Sequence, residues 1–320
     1  MSQLPFLDAA TLRKTVAIAD LLDAVEAAYR DVAHGRDRSP LRSRVPLPAG
    51  GDLLLMPGVR DGGAGASVKI VTVVPDNPAR GLPTIHALVL WLDALTGEPR
   101  ALLDGETLTA MRTGAASGVA TRLLAREESR VLALFGAGGQ AEWQLRCVGA
   151  ARPIEEVRVV TRSAEARDGF AARMAGEMGL AVHAMADPRQ ALTGADVVCC
   201  ATTATEPVFE ADWVAAGTHV NGIGAFRRGM LEMPPPLFAR ASLVAVDSRA
   251  AAAEEAGDLI AAIEAGMISD DAPIEIGTIE RGWAQRRPAE AITVFKSVGL
   301  AIQDVAATEL AAASWGRGGA

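Results

Sequence analysis

A chain of 320 residues, 50% of them hydrophobic, has more apolar material than one small core needs, which points to two domains or to one domain with a substantial addition. The formal net charge is -8 and the arginines are scattered among carboxylates, so nucleic acid and an anionic membrane are poor partners. The opening "MSQLPFLDAA" lacks the basic-then-apolar order of a secretory signal, and no apolar run nears the roughly 20 residues that span a bilayer. The expected location is therefore the cytoplasm.

From Val16 to Val32 the residues Ile18, Leu21, Leu22, Val25, Ala28, Tyr29 and Val32 recur at three- and four-residue spacing, which predicts an amphipathic helix stopped by Gly35. Between about Leu41 and Arg100 the texture changes to short apolar runs, "LLLMPG", "ASVKIVTVV" and "IHALVLWLDALTGEPR", broken by Pro and Gly. These predict strands and turns, with Thr-Gly in "LDALTGEP" turning a hairpin. "RTGAASGVATRLLA" reads as a helix. Strands and helices then alternate: "RVLALF", "EVRVVT", "LAVHAM", "DVVCCATT", "THVNGIG" and "ASLVAVD" are the strands. Alternation of this kind favours a parallel sheet, because parallel neighbours need long crossovers. The last helix is expected from about Ala291 onward, in "AITVFKSVGLAIQDVAATELAAA".

The three cysteines, Cys147, Cys199 and Cys200, are odd in number, and two are adjacent inside an apolar run. That disfavours a disulfide framework and reads as small strand side chains; no metal-ligand spacing is present, so no metal is expected.

In "VLALFGAGGQAEW" a strand meets a glycine-rich turn and a helix start, the opening of a dinucleotide-binding unit. Gly136 permits the tight turn, Gly138 lets the backbone approach a pyrophosphate, and Ala141 allows close helix packing, while the helix N-terminus offers unpaired N–H groups to phosphate. Gly136, Ala137, Gly138, Gly139, Gln140 and Ala141 are thus the candidate cradle. At the end of the second strand stand Thr161, Arg162 and Ser163, with Arg167 one turn later. With no carboxylate at this tip and two cations available to a 2'-phosphate, the charge favours NADPH, with NADH possible.

Several stretches in order resemble the ornithine cyclodeaminase and mu-crystallin family over nearly the whole length: "VKIVTVVPDNPARGLPTIHALVLWLDALTGEPRALLDGETLTAMRTGAAS", "GAGGQA", "ADVVCCATTATEPVF", "VAVDSRAAAAEEAGDL" and "TVFKSVGLAIQD". The resemblance implies an α/β chain in which a Rossmann-type parallel-sheet domain (119–297) is inserted in an α+β substrate-binding and dimerisation domain (1–118 with 298–320). It also implies a homodimer, and chemistry on the bond between an amino acid's Cα and its nitrogen with a nicotinamide cofactor. An α-imino acid carries a carboxylate, and a partly desolvated pocket needs fixed cations to hold it. Lys69 and Arg112 fit the family's carboxylate-binding positions. The family's early-strand arginine corresponds to Arg42 or Arg44, which lie two apart and so share a strand face. His86 is a candidate pocket lining or proton relay. Thr113, Lys296 and Ser297 fall where the family's chain approaches nicotinamide and substrate. Thr202, Thr203 and Thr205 follow the fourth strand, Gly224 follows the fifth, and Asp247 and Ser248 close the sixth; all are expected at the cofactor.

Cyclodeaminases of this family carry an aspartate after the strand matching "HVNGIG", suited to a substrate with a second amine. Here the run is Gly224-Ala225-Phe226-Arg227, and Ala225 offers no base. An already cyclic imine needs none. The "GAFRRGM" version is similar to members that reduce Δ1-pyrroline-2-carboxylate and Δ1-piperideine-2-carboxylate to L-proline and L-pipecolate, so the expected substrate is a small cyclic imino acid. The alternatives are ornithine cyclodeamination, an amino-acid dehydrogenase, and a non-enzymatic binding protein.

Overall fold

A computed structural model of the chain describes residues 4–48 and 50–318. It divides into two compact units, one formed by residues through Arg112 together with those from Leu300 onward, the other by Thr113–Gly299. The first opens with β1 (Phe6–Leu7), α1 (Ala9–Thr15) and α2 (Ile18–Ala33), then β2 (Ser43–Pro46), β3 (Asp52–Val59), β4 (Gly65–Val73), β5 (Ile85–Asp93) and β6 (Pro99–Asp104). The division falls inside α3 (Gly105–Leu124). The second unit holds β7 (Val131–Phe135), α4 (Ala141–Ala151), β8 (Glu156–Val160), α5 (Ala164–Met178), β9 (Ala181–Met185), α6 (Pro188–Leu192) and β10 (Val197–Cys200). It continues through β11 (His219–Gly222), α7 (Pro235–Arg240), β12 (Leu243–Val246), α8 (Arg249–Glu255), α9 (Gly257–Glu264), β13 (Ile274–Glu275) and β14 (Thr293–Lys296). The closing helix α10 (Ala301–Gly318) belongs again to the first unit.

In the first unit the sheet order is β1-β6-β5-β4-β3-β2, antiparallel except for β1 beside β6. Alternation decides which residues face inward: β3 buries every second side chain, and its inner residues Leu54 and Met56 pack with Val71 of β4 and Ala301 of α10. α10 packs on α2 and along β3 and β4. Its approach is close because the chain is small at the contact; a Cβ on Gly58 would come within 3.0 Å of Val305 and 3.1 Å of Ala301. Among the described residues the opposite face of the same sheet has no such cover within the unit. Val45, Ile70 and Leu88 lie there with 49%, 46% and 46% exposure, an apolar surface of a kind that monomers rarely leave open. The β5–β6 connection turns at Gly97 (φ 73°), with the Asp93 carboxylate accepting from the N–H groups of Leu95 and Thr96.

The second unit carries a parallel sheet in the order β13-β12-β14-β11-β10-β7-β8-β9. Its central strands are buried on both faces, so β10 reads as a continuous apolar run, while β11 and β14 also bury polar side chains. Cys199 and Cys200 fill β10 and Cys147 fills α4; all three are free thiols, and burial raises their pKa, which leaves them inert. One sequence expectation is corrected here. Thr293–Lys296 is a strand between β11 and β12, and the last helix begins only at Ala301. β-branched and aromatic residues with a partner strand on each side satisfy that segment better than a helix would, and its apolar content alone could not separate the two.

His219 sits in this sheet, fully buried, its Nδ1 2.8 Å from the Thr293 hydroxyl and its Nε2 3.1 Å from Asn221 Oδ1. Asn221 in turn donates to the Thr121 hydroxyl, so Nε2 carries the proton and the ring is neutral. Burial lowers its pKa from 6.5 to about 3. The unfolded chain therefore binds a proton that the folded one refuses between those values, and stability falls as pH drops below about 6.5, by up to about 1.4 kcal/mol per pH unit. Urea unfolding at pH 7 and pH 5 should show this loss, and His219→Gln should flatten it; an unaltered pH slope in that variant would refute the assignment.

Candidate functional site

The first unit concentrates charge where its sequence is otherwise apolar. Lys69 projects from the inner face of β4 with 1% exposure, and its Nζ lies 2.8 Å from Asp304 Oδ2 on α10. Arg112, 5% exposed on α3, donates Nε to Asp304 Oδ1 at 3.0 Å and Nη1 to Gln303 Oε1 at 3.0 Å. Gln303 is itself oriented, accepting from the N–H of Leu300 at 2.7 Å and donating to the Tyr29 hydroxyl at 2.5 Å. Two cations thus share one carboxylate in a buried place. Burial, reinforced by Arg112 and by Arg42 and opposed by Asp304, brings the Lys69 ammonium down to about 7. At neutral pH it can both hold and release a proton.

Exposure and electrostatic reach, with Arg42 half-buried, distinguish the two candidate arginines. Arg44 is exposed and bonds the Asp52 carboxylate at 2.7 Å, whereas Arg42 acts electrostatically on Lys69. His86 requires a correction. The register places Lys69 opposite Val89 and His86 opposite Thr72, so His86 occupies the face of the sheet away from Lys69. There its Nδ1 meets Glu106 at 3.0 Å, half exposed. Asp304 and Gln303 are the partners that sequence reasoning left unassigned; the visible signal was a polar pair inside the apolar face of the last helix, in "AIQDVAA".

In the second unit the glycine-rich turn follows β7 and leads into α4. Gly136 has φ 110°, and a Cβ there would stand 2.5 Å from the Ala201 carbonyl oxygen, so only glycine fits. A Cβ at Gly138 or Gly139 would meet nothing within 4 Å. Open space thus lies before the N–H groups at the head of α4, and the Gln140 side-chain oxygen is buried without a partner. Ala137 is half-buried, Ala141 is fully buried, and the arrangement fits the phosphates of a dinucleotide. Beyond β8, Arg162 is exposed, the Ser163 hydroxyl caps α5 by accepting from Ala166, and Arg167 donates to the Thr161 carbonyl at 3.4 Å. Thr113 is 7% exposed on α3, Thr203 and Thr205 are exposed, and Ala225 is fully buried.

Four expected contact residues are engaged with their own chain. The Lys296 ammonium is fully buried and 2.8 Å from Asp258 Oδ2, which pairs its charge within the second unit. Asp247 Oδ2 accepts from the Ser297 hydroxyl and from the N–H groups of Val298 and Gly299 at 2.8, 2.9 and 2.8 Å. These bonds shape the turn after β14. Ser248 caps α8 through Ala251 at 3.4 Å. Among the described residues no group of three His, Cys, Asp or Glu side chains could hold a metal ion.

With this geometry in place, the comparisons are specific. The model of the ornithine cyclodeaminase/mu-crystallin family matches residues 5–318. A Δ1-pyrroline-2-carboxylate reductase of Bacillus cereus is 38% identical over 296 residues, 92% of this chain and 91% of that protein. The solved structure of Thermococcus litoralis Δ1-pyrroline-2-carboxylate reductase, in complex with NADH and L-proline, superposes with TM-score 0.92 at 33% identity over 99% of this chain and 98% of that one. An archaeal alanine dehydrogenase dimer with bound NAD gives 0.89 at 30% identity over 99% and 97%.

Asp304 is the only carboxylate bonded to both cations in these contacts, so Asp304→Asn should cost about 3–5 kcal/mol in urea unfolding, since it leaves buried charge uncompensated. Lys69→Met in the same background should recover part of that loss. Equal stability of the single variant and the wild type would mean that the pair is dispensable.

Proposed function

The chain belongs to the ornithine cyclodeaminase/mu-crystallin family, and we propose that it is a ketimine reductase that converts Δ1-pyrroline-2-carboxylate and Δ1-piperideine-2-carboxylate to L-proline and L-pipecolate. The observation that carries this reading is the Lys69–Asp304–Arg112 cluster, a buried anchor for a carboxylate that contains its own titratable acid. Substrate holding and dimerisation are assigned to 1–118 with 298–320, and dinucleotide binding to 119–297. When bound, the nicotinamide supplies the hydride that reduces the imine carbon.

What remains for this chain is to hold the imino acid and to move one proton. Arg112 and Arg42 take the carboxylate, and their positive field fixes the ring's orientation. Lys69 Nζ gives a proton to the ring nitrogen as the C=N bond is reduced, and its lowered pKa makes that transfer easy near neutrality. Asp304 keeps Lys69 and Arg112 apart and aimed, acting from behind both. Ala225 supports a substrate that is already cyclic, because a diamine would need a base at that place. At the end of β8 the absence of a carboxylate, with Arg162 and Arg167 present, supports preference for NADPH with NADH also accepted. Free, buried, adjacent cysteines suit a reducing cytoplasm. No helix among the described residues is long and apolar enough to cross a membrane.

Mixing purified protein with each cyclic imine should consume NADPH faster than NADH; ammonia release from ornithine with NAD, and no imine reduction, would overturn the reading. Because Lys69 must be protonated to act, kcat/KM should fall as pH rises through about 7, and Lys69→Met should lower kcat by about a hundredfold or more and abolish that limb. A second copy of the chain is the proposed cover for Val45, Ile70 and Leu88. Sedimentation should show a dimer that Ile70→Glu converts to monomer, and an unchanged assembly in that variant would place the interface elsewhere.

A further inference from the structure

Glu232 lies outside every stretch singled out in the sequence, in the segment before α7, and it is fully buried. Its Oε2 accepts from the N–H and the hydroxyl of Thr202, each at 3.0 Å. Its Oε1 accepts from the N–H groups of Gly224 at 2.6 Å and Ala225 at 3.3 Å. Thr202 follows β10, and Gly224 and Ala225 follow the adjacent β11. One carboxylate therefore gathers four donors from the C-terminal ends of two neighbouring strands, the edge at which open α/β sheets receive their ligands.

The surroundings leave little slack. A Cβ on Gly224 would stand 2.4 Å from Glu232 Oε2 and 2.1 Å from the Thr202 carbonyl oxygen. Lys296, at the end of β14, lies 4.0 Å from Glu232 Oε1 and is held by Asp258. Asp258 Oδ1 in turn accepts from the N–H groups of Glu232 and Met233 at 2.6 and 3.2 Å, fixing the segment that carries the carboxylate. β10 and β11 are already registered to each other through Cys200 and Gly222, so the sheet itself needs no further tie. What Glu232 fixes is the backbone beyond the ladder.

We propose that Glu232 is a positioning residue for the hydride transfer, setting the chain after β10 and β11 against the nicotinamide without touching substrate or cofactor. It rests on the nicotinamide reading given above. Glu232→Gln is the discriminating change, because an amide must turn its NH2 toward either the Thr202 pair or the Gly224–Ala225 pair, and N–H groups cannot bond a donor. The expected result is an NADPH Kd, measured by nucleotide fluorescence without imino acid, raised about tenfold. In steady state kcat should fall by a similar or larger factor. KM for the imino acid should stay within about twofold, since the groups proposed to hold its carboxylate belong to the first unit.

A folded Glu232→Gln variant whose NADPH Kd and kcat both match wild type would overturn the proposal and leave Glu232 as interior filling. If that variant does not fold, Glu232→Asp, which keeps the charge and shortens the reach, should show the same split to a smaller degree, and wild-type values would again overturn it. The Kd arm separates this inference from the substrate reading: a protein that binds NADPH but reduces no cyclic imine defeats the latter and still tests the former.

Discussion

A charge inside an apolar sheet is the constraint on which the first unit depends. Lys69 could not remain on the inner face of β4 without a counter-charge, and Asp304 arrives from a helix more than two hundred residues later in the chain. The pairing is therefore a statement about the fold as well as about chemistry. α10 must dock on β3 and β4 for the lysine to be tolerated, and the small residues of that helix, with Gly58 beneath them, let it dock closely. One carboxylate thus serves two buried cations.

The second unit solves a different problem by the same means. Its sheet is held by backbone ladders and apolar packing, but the loops at its C-terminal edge have no ladder. Buried carboxylates take that part: Asp247 gathers the turn after β14, Glu232 the ends beyond β10 and β11, and Asp258 the backbone of Glu232 itself. Each accepts two or more N–H bonds, the arrangement in which a buried anion is best satisfied.

Much of this was legible in the residues. The strand, the glycine turn and the helix start at Val131–Ala141 specify their own geometry locally, and Gly136 adopts the positive φ that its place requires. Lys69 and Arg112 stood out through the resemblance. What the sequence hid was pairing at a distance. Arg112 meets Asp304 across 192 residues, and nothing near either predicts the other. Arg42 was separable from Arg44 only once its charge was seen to act on Lys69, and Lys296 looked like a free cation until Asp258 came into place. His86 went to the wrong face because alternation along a strand is fixed only relative to its neighbours, and a register is a property of two strands. The segment at Thr293–Lys296 went to the wrong element because a buried strand and a buried helix have the same apolar content.

That late strand has a consequence for how the protein is made. β14 lies in the middle of the second unit's sheet, between β11 and β12, although it follows every other strand of that sheet in the sequence, and α10 behind it carries the counter-charge for Lys69. Until they are made the parallel sheet lacks a central member and Lys69 lacks its counter-charge. Neither unit can close before β14 and α10 are made, so both cores wait on one stretch of sequence.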